Sequence, residues 1–250
     1  MIDGEVFLIR HSHDDHSYID GENNTSLTRK GIEDARLMGA RMARILHERD
    51  ERTVNIHTSS KKRSVETAEI LSEELDRNYI HHGLQVDNRL RELYQGKIID
   101  FRKLAHQRKA DLLQLSWEVF DERRVSGDLS YHFGDFQAGG EVKEPLRGFI
   151  EFPYGESQND FSFRTADALR DIVINMRDEE SLPLIVAHRG GIREIRNLIF
   201  AINHNLPICQ AEEREQSGLK YCEIIPDHIT DIGFCIQALD GHLKSIKTAS

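Results

Sequence analysis

The sequence predicts an α/β fold, a three-layer sandwich in which a mostly parallel sheet is flanked by helices. Short extended segments alternate with amphipathic helical segments through most of the chain, which is the rhythm of βαβ units. In addition, residues 183–187 form a continuous apolar run, PLIVA, and such runs are typical of parallel strands that are buried on both faces. We therefore expect one sheet with helices packed on both sides of it.

The elements of the first part of the chain follow this pattern in order. Residues 5–9 form an extended apolar segment that ends in a polar stretch. A helix is predicted to begin after Thr28, whose hydroxyl suits an N-cap, because apolar residues then recur every three or four positions as far as about His47. A short strand at 54–58 leads into a helix over 61–75.

The second part of the chain contains an interruption. A third extended segment is predicted near residues 84–86, and from 97 to 156 the alternation stops. An insertion of this kind in an α/β chain predicts a cap over the functional site. We expect a single domain over residues 1–250 that carries this cap insertion at about 97–156.

Regular structure is predicted to return after the insertion. A helix is expected at about 160–177, followed by the strand at 183–187 and by a helix that opens at Gly190. Two more extended segments, at 220–226 and 233–239, are predicted to complete the sheet. Residues 241–250 are predicted to form a short strand or a loose tail.

Composition excludes several classes of function. With 38% hydrophobic and 30% charged residues the chain is globular, and its net charge of −10 argues against a nucleic-acid partner, which needs an excess of Lys and Arg on one face. No apolar run approaches the roughly 20 residues that span a bilayer, so we expect no membrane association and a cytoplasmic location. Three widely spaced cysteines favour reduced thiols.

Reactive side chains follow the predicted strands at four places. These places are Arg10-His11, residues 59–63, Arg91-Glu92 and His188-Arg189. In an open α/β sheet the carboxyl ends of the strands form the ligand crevice, so we expect these side chains to converge. Histidines, arginines and a glutamate suit phosphoryl transfer, because they offer a nucleophile, cations for the phosphoryl oxygens and a proton donor.

The stretch after the first strand also supports a metal site. The residues concerned have the spacing of a zinc-dependent hydrolase signature, and they are His11, His13, Asp15 and His16. Hydrolases with this pattern have a long β-rich segment in front of it, whereas here only ten residues precede it. The zinc interpretation also leaves Arg63 unexplained. It stays open as an alternative, as does a non-catalytic module that binds a phosphorylated ligand.

Several motifs, taken in their order along the chain, resemble the histidine phosphatase superfamily, which includes the cofactor-dependent phosphoglycerate mutases. They are residues 8–11 (LIRH), 27–31 (LTRKG), 58–68 (TSSKKRSVETA) and 185–188 (IVAH). The segment Leu90-Arg91-Glu92, with Gly96 after it, resembles the segment that holds the acid in mutase-like members. The resemblance implies the α/β sandwich already predicted.

The resemblance also implies roles for individual residues. His11 would attack phosphorus and become a phosphohistidine, while Arg10, Arg63 and His188 would hold the phosphoryl oxygens. Nearby arginines would keep the attacking ring neutral against the opposing effect of Asp14.

The proton donor is less tightly specified. The resemblance implies that Glu92 protonates the leaving oxygen and then activates water, with Asp14 and Glu156 as the other candidates. It implies no metal and no other cofactor, since guanidinium groups supply the charge stabilisation.

The activity that the resemblance implies is a metal-independent phosphomonoesterase. Phosphoglycerate-mutase-like phosphoryl transfer is the first alternative, and the expected partner is a small phosphorylated substrate or a phosphoprotein. Two positions depart from the family pattern: Ser12 stands where a glycine is usual, and Arg189 stands where a small residue is common. We keep Arg189 as a candidate phosphate-binding residue.

Overall fold

The computed structural model describes residues 3–15, 25–93, 156, 158–179, 181–206 and 219–249. The predicted cap at about 97–156 lies outside these residues, apart from Glu156, and so does His16. No helix within the described residues is long and apolar enough to cross a membrane.

The described residues form five strands and five α-helices, which confirms the predicted α/β class. In chain order the elements are β1 (Gly4–Arg10), α1 (Arg29–Glu48), β2 (Thr53–Ser59), α2 (Lys62–Arg77), β3 (His81–Asp87), a short 3-10 helix (Asn88–Leu90), α3 (Gln158–Glu179), β4 (Leu182–Ala187), α4 (Arg189–Asn203), β5 (Ile224–Ile229) and α5 (Ile232–Ala249). The side chain of Thr28 accepts a hydrogen bond from the Gly31 N–H and caps α1 as predicted.

The sheet has the strand order β3-β2-β4-β1-β5, in which only β5 is antiparallel to its neighbour. Arg10 pairs with Ala187, and Thr58 pairs with Val186. The parallel strands β1, β2 and β4 therefore end at the same edge of the sheet. This register brings together the polar residues that follow each of these strands.

The hydrophobic core lies on both faces of the sheet. Along β1, Phe7 and Ile9 pack with buried residues of α1 and α2, whereas Val6 and Leu8 pack with buried residues of α3, α4 and α5. This alternation follows from the two-residue period of a strand. The result is the three-layer sandwich that the sequence predicts.

The predictions for the last part of the chain are partly wrong. Residues 233–239 do not form a strand, and residues 241–249 are not a tail, because both belong to helix α5. Its buried residues are spaced by three and four positions, and four of them, Ile232, Cys235, Leu239 and Leu243, join one core cluster. The last strand is Ile224–Ile229 rather than 220–226, since Tyr221 and Cys222 form a turn in which Cys222 has a φ of 55°.

Candidate active site

His11 lies directly after β1, at the carboxyl edge of the sheet. Its backbone N–H donates to the Ala187 carbonyl at 2.9 Å, which continues the pairing between β1 and β4 by one residue. The imidazole is only 4% exposed, and its Nδ1 lies 2.8 Å from the Ser12 carbonyl oxygen. Because a carbonyl can only accept, Nδ1 carries the proton and Nε2 presents a lone pair.

Arg63 joins the two histidines that follow β1 and β4. From the first turn of α2, its Nε donates to His11 Nε2 at 3.1 Å, and its Nη2 donates to His188 Nδ1 at 3.1 Å. The two imidazole centroids are 5.0 Å apart. The structure thus brings together three predicted site residues that are distant in sequence.

Both imidazoles are held in the neutral form. Burial lowers the pKa of His11 from 6.5 to about 3, with Arg63 as the second cause and Arg10 as a smaller one, against the opposing effects of the Ser12 carbonyl and Asp14. Burial, followed by Arg63, also lowers the pKa of His188 well below its ordinary value. A neutral Nε2 on His11 is the form that can attack an electrophile.

The ring of His188 is oriented by two serine hydroxyls. His188 is fully buried and precedes the first residue of α4. Its Nδ1 accepts from Arg63, so its Nε2 bears the proton and donates to Ser59 Oγ at 2.8 Å, with Ser64 Oγ at 3.4 Å. Each side of this ring therefore has a polar partner.

The loop after the nucleophile candidate is fixed to α1 and α2. The Ser12 hydroxyl donates to the Gly31 carbonyl at 2.7 Å, and the Ser12 N–H donates to Thr67 Oγ1 at 3.0 Å. Ser12 is fully buried, so this departure from the family pattern is accommodated by bonding its hydroxyl to α1. Gly31 leaves no room for a side chain, because a Cβ there would lie 2.1 Å from the His13 carbonyl oxygen.

Arg10 forms one wall of the site together with Tyr221. The guanidinium carbon of Arg10 lies 4.0 Å from the Tyr221 ring centroid, and Nη1 donates to the Leu219 carbonyl. The Tyr221 ring also lies 5.6 Å from the His11 ring. Burial raises the pKa of Tyr221, so its phenol stays protonated. The guanidinium thus lies beside the nucleophile candidate on an aromatic support.

Glu92 reaches the amino-terminal end of α4. Its Oε2 accepts a long hydrogen bond of 3.5 Å from the Gly190 N–H, and its Oε1 accepts from the Leu93 N–H at 3.0 Å. Gly190 is two residues after His188. A carboxyl group is therefore present at the edge of the sheet where the histidines lie.

The two other acid candidates have ionic partners. Glu156 receives a bidentate pair of hydrogen bonds from Arg164, at 2.6 and 2.7 Å. Asp14 is buried, lies 3.7 Å from Arg63 Nε and accepts from the Thr25 hydroxyl at 2.6 Å. Both carboxyl groups are thus already engaged with an arginine.

The other predicted residues differ in their exposure and in their partners. Arg189 is exposed and is the first residue of α4. His13 Nδ1 is hydrogen-bonded with the Thr28 hydroxyl at 3.1 Å, and Asp15 is exposed. In the part of the chain that the structure describes, which excludes His16, no group of three or more His, Cys, Asp or Glu side chains could hold a metal ion.

Sequence reasoning missed two residues at the site. Tyr221 stands in a stretch that the sequence predicts to be extended, and only the turn before β5 brings it against Arg10. Arg164 lies within a helix and was indistinguishable from a surface arginine, although it contacts the segment that carries Glu92. No local signal marks either residue, because both contacts join distant parts of the chain.

Comparison with known proteins bears on the family and the fold. The family model for the histidine phosphatase superfamily (branch 1) matches residues 6–138, more than half of the chain. A solved structure of a mycobacterial glucosyl-3-phosphoglycerate phosphatase is 20% identical and has a TM-score of 0.58, with 89% of each chain covered. Phosphoglycerate mutase from Bacillus anthracis is 16% identical and has a TM-score of 0.55, with 94% of this chain and 96% of that chain covered. No curated protein matches the chain.

Proposed function

This chain belongs to the histidine phosphatase superfamily (branch 1), and we propose that it is a metal-independent phosphomonoesterase that forms a phosphohistidine on His11. The observation that carries the proposal is the pair of hydrogen bonds from Arg63 to His11 Nε2 and His188 Nδ1. They join a neutral imidazole, a guanidinium group and a second imidazole within one buried site, which supports this chemistry.

Substrate binding begins with the phosphoryl group of a small phosphorylated molecule. Its oxygens replace the two ring nitrogens as acceptors for Arg63, because a charged acceptor makes a stronger bond to a guanidinium than a neutral ring does. Helices α2 and α4 both begin at this edge of the sheet, and their amino-terminal ends favour an anion. Arg10 adds a second cation.

Release of Arg63 from His188 lets that ring change its tautomer. A phosphoryl oxygen accepts a hydrogen bond only from an N–H, so the ring proton has to reside on Nδ1 in the complex. The Ser59 hydroxyl then donates to Nε2 instead of accepting from it, since a hydroxyl serves in either role. Ser59 thus supports the ring in both states.

In the first chemical step His11 Nε2 attacks phosphorus, and the bond from phosphorus to the ester oxygen breaks. Protonated Glu92 transfers its proton to that oxygen as the alcohol leaves. The hydrogen bond from His11 Nδ1 to the Ser12 carbonyl strengthens as positive charge develops on the phosphorylated ring.

In the second step water attacks the phosphohistidine. Glu92, now ionised, takes a proton from the water as the bond between phosphorus and Nε2 breaks. His11 returns to its neutral form, and inorganic phosphate leaves. Arg10 and Arg63 stabilise the same phosphoryl oxygens in both steps, so no metal ion is required.

The test combines hydrolysis of 4-nitrophenyl phosphate with trapping of an acid-labile phosphoenzyme. We expect the unmodified protein to show both, and His11→Ala to lose both by about 10³-fold or more with an unchanged circular dichroism spectrum. His204→Ala is the matched control, because this exposed histidine lies at the carboxyl-terminal end of α4, whereas the site lies at its amino-terminal end. It should retain both signals.

Other outcomes would contradict the proposal. Retention of activity in His11→Ala would show that His11 is not the nucleophile. Loss of activity in a chelator, restored by zinc, would favour the zinc hydrolase. Tight binding of vanadate without turnover would favour a binding module. Transfer of the trapped phosphoryl group to a phosphoglycerate rather than to water would favour a mutase.

A further inference from the structure

Arg164, on helix α3, donates to three of the four backbone carbonyls of residues 89–92, the segment that carries Glu92. Its Nη1 donates to the carbonyls of Arg89 and Arg91 at 2.5 and 2.8 Å, and its Nη2 donates to the carbonyl of Glu92 at 3.2 Å. The other N–H groups form the bidentate pair with Glu156. All of these donors come from one side chain that is 12% exposed.

These contacts supply hydrogen bonds to carbonyl groups, most of which lie outside regular secondary structure. Residues 91–93 follow the 3-10 helix and belong to no strand or helix, so their carbonyls depend on side chains or water for hydrogen bonds. A planar guanidinium fixes several acceptors at once because its donors are held in a rigid fork. The backbone conformation of this segment therefore depends on the position of Arg164.

A second arginine anchors the same segment to the same helix. Arg89, within the 3-10 helix, donates to Asp87 and reaches across to Asp167 and Asp171 of α3 at 2.7 and 2.8 Å. Arg164 therefore extends from the helix to the segment, and Arg89 extends from the segment to the helix. Glu92 follows Arg89 by three residues, so this anchor is close to it in the chain.

We propose that Arg164 is a positioning residue for Glu92, which it holds with its carboxyl group at the amino-terminal end of α4. This inference rests on the proposed function, in which Glu92 protonates the leaving oxygen. Glu156 supports it by orienting the guanidinium through the bidentate pair, which gives that buried carboxylate a role other than the acid.

A misplaced acid has a specific kinetic effect. The leaving group of 2,4-dinitrophenyl phosphate departs without a proton. The leaving group of phenyl phosphate is poor and has to be protonated in the transition state. If Glu92 is no longer held in position, hydrolysis of phenyl phosphate should therefore slow much more than hydrolysis of the dinitrophenyl ester. A general loss of folding would slow both esters equally.

The experiment compares kcat/KM for the two esters in Arg164→Lys and Glu92→Gln, alone and combined. We expect Arg164→Lys to lower the value for phenyl phosphate by about 10- to 100-fold and to leave the dinitrophenyl ester within about threefold. The double variant should be no slower than Glu92→Gln, because both changes remove the same contribution. Glu156→Gln, a milder change, should shift the same ratio in the same direction.

Arg177→Lys provides a matched control. Arg177 lies on the same helix and pairs with Asp178, so its replacement alters a charged contact of α3 without touching residues 89–92 or the carboxylates that bind Arg89. It should leave the ratio between the two esters unchanged. An equal loss on both esters in Arg164→Lys, or additive losses in the double variant, would overturn the inference while the proposed function stands.

A measurement that needs no turnover completes the test. Amide hydrogen exchange at residues 90–93 should become at least about tenfold faster in Arg164→Lys and stay unchanged in Arg177→Lys. Unchanged exchange there would overturn the inference. Failure of the proposed function is distinguishable, since only that failure leaves the unmodified protein without activity on either ester.

Discussion

Replacing Gly31 by alanine tests the packing that holds the nucleophile loop. Gly31 lies in the first turn of α1 against the backbone of His13, two residues after His11. A Cβ at this position would lie 2.1 Å from the His13 carbonyl oxygen and 3.0 Å from its carbonyl carbon. Backbone atoms cannot rotate away as the end of a flexible side chain can, so the loop itself has to move.

The size of the effect follows from these distances. The carbonyl has to withdraw from 2.1 Å to the 3.4 Å at which ordinary contact begins, a shift of more than 1 Å. Forcing extra atoms into packed structure lowers the free energy of unfolding by about 1–3 kcal/mol. The preference of helices for alanine over glycine offsets about 1 kcal/mol of this loss. A displacement of about 1 Å in a catalytic group lowers the rate about 100-fold.

The assays are urea unfolding and kcat for an aryl phosphate. Gly241→Ala is the control, because this glycine is also helical, in α5, and a Cβ there meets nothing within 4 Å. The free energy of unfolding of Gly241→Ala should rise by about 0.5–1 kcal/mol, and this variant should keep full activity. If Gly31→Ala is as stable as this control and retains kcat within about twofold, then the contact between α1 and the nucleophile loop is not as described.

Three further predictions concern pH and the wall of the site. Because burial lowers the pKa of His11 to about 3 and we propose that the ring attacks in its neutral form, the burst rate with a good leaving group should not fall near pH 6.5; an acid limb there would contradict burial as the cause. The lowered pKa of His188 means that only the unfolded chain takes up its proton below pH 6.5, so stability falls as pH decreases. Urea titrations of His188→Gln should show a shallower pH slope just below pH 6.5, by at most about 1.4 kcal/mol per pH unit; an unchanged slope would refute this. Tyr221→Leu removes the ring beneath Arg10 and should raise KM about fivefold with little change in kcat, whereas Tyr221→Phe should match the unmodified protein.

The parallel core of the fold was readable from the sequence because local pattern and burial agree there. The apolar run at 183–187 is buried almost throughout and lies between two parallel strands, as its composition indicates. The abrupt change from apolar to charged residues after β1 marks the edge of the sheet, and strand geometry then brings His11, Arg63 and His188 together. In these cases one local signal fixes both the element and its place.

Helix α5 was mistaken for a strand and a tail because its local composition opposes its structure. Cys235 and Ile236 suit a strand, and Gly233 and Gly241 suggest boundaries. The tertiary contacts of its three- and four-residue stripe with the core override these preferences. Tyr221 and Arg164 were missed for a related reason, since their partners are determined by the path of the chain and not by neighbouring residues.

The position of β1 in the sheet also affects how the protein is made. β1 ends at Arg10, but its two neighbours begin only at Leu182 and Ile224. At ribosomal rates of about 5–20 residues per second, the earlier neighbour emerges roughly ten to thirty seconds after β1. Throughout that interval Val6–Ile9, which is almost fully buried in the finished fold, has no strand on either side. We therefore expect β1, the strand that leads to His11, to be an aggregation-prone segment of the nascent chain.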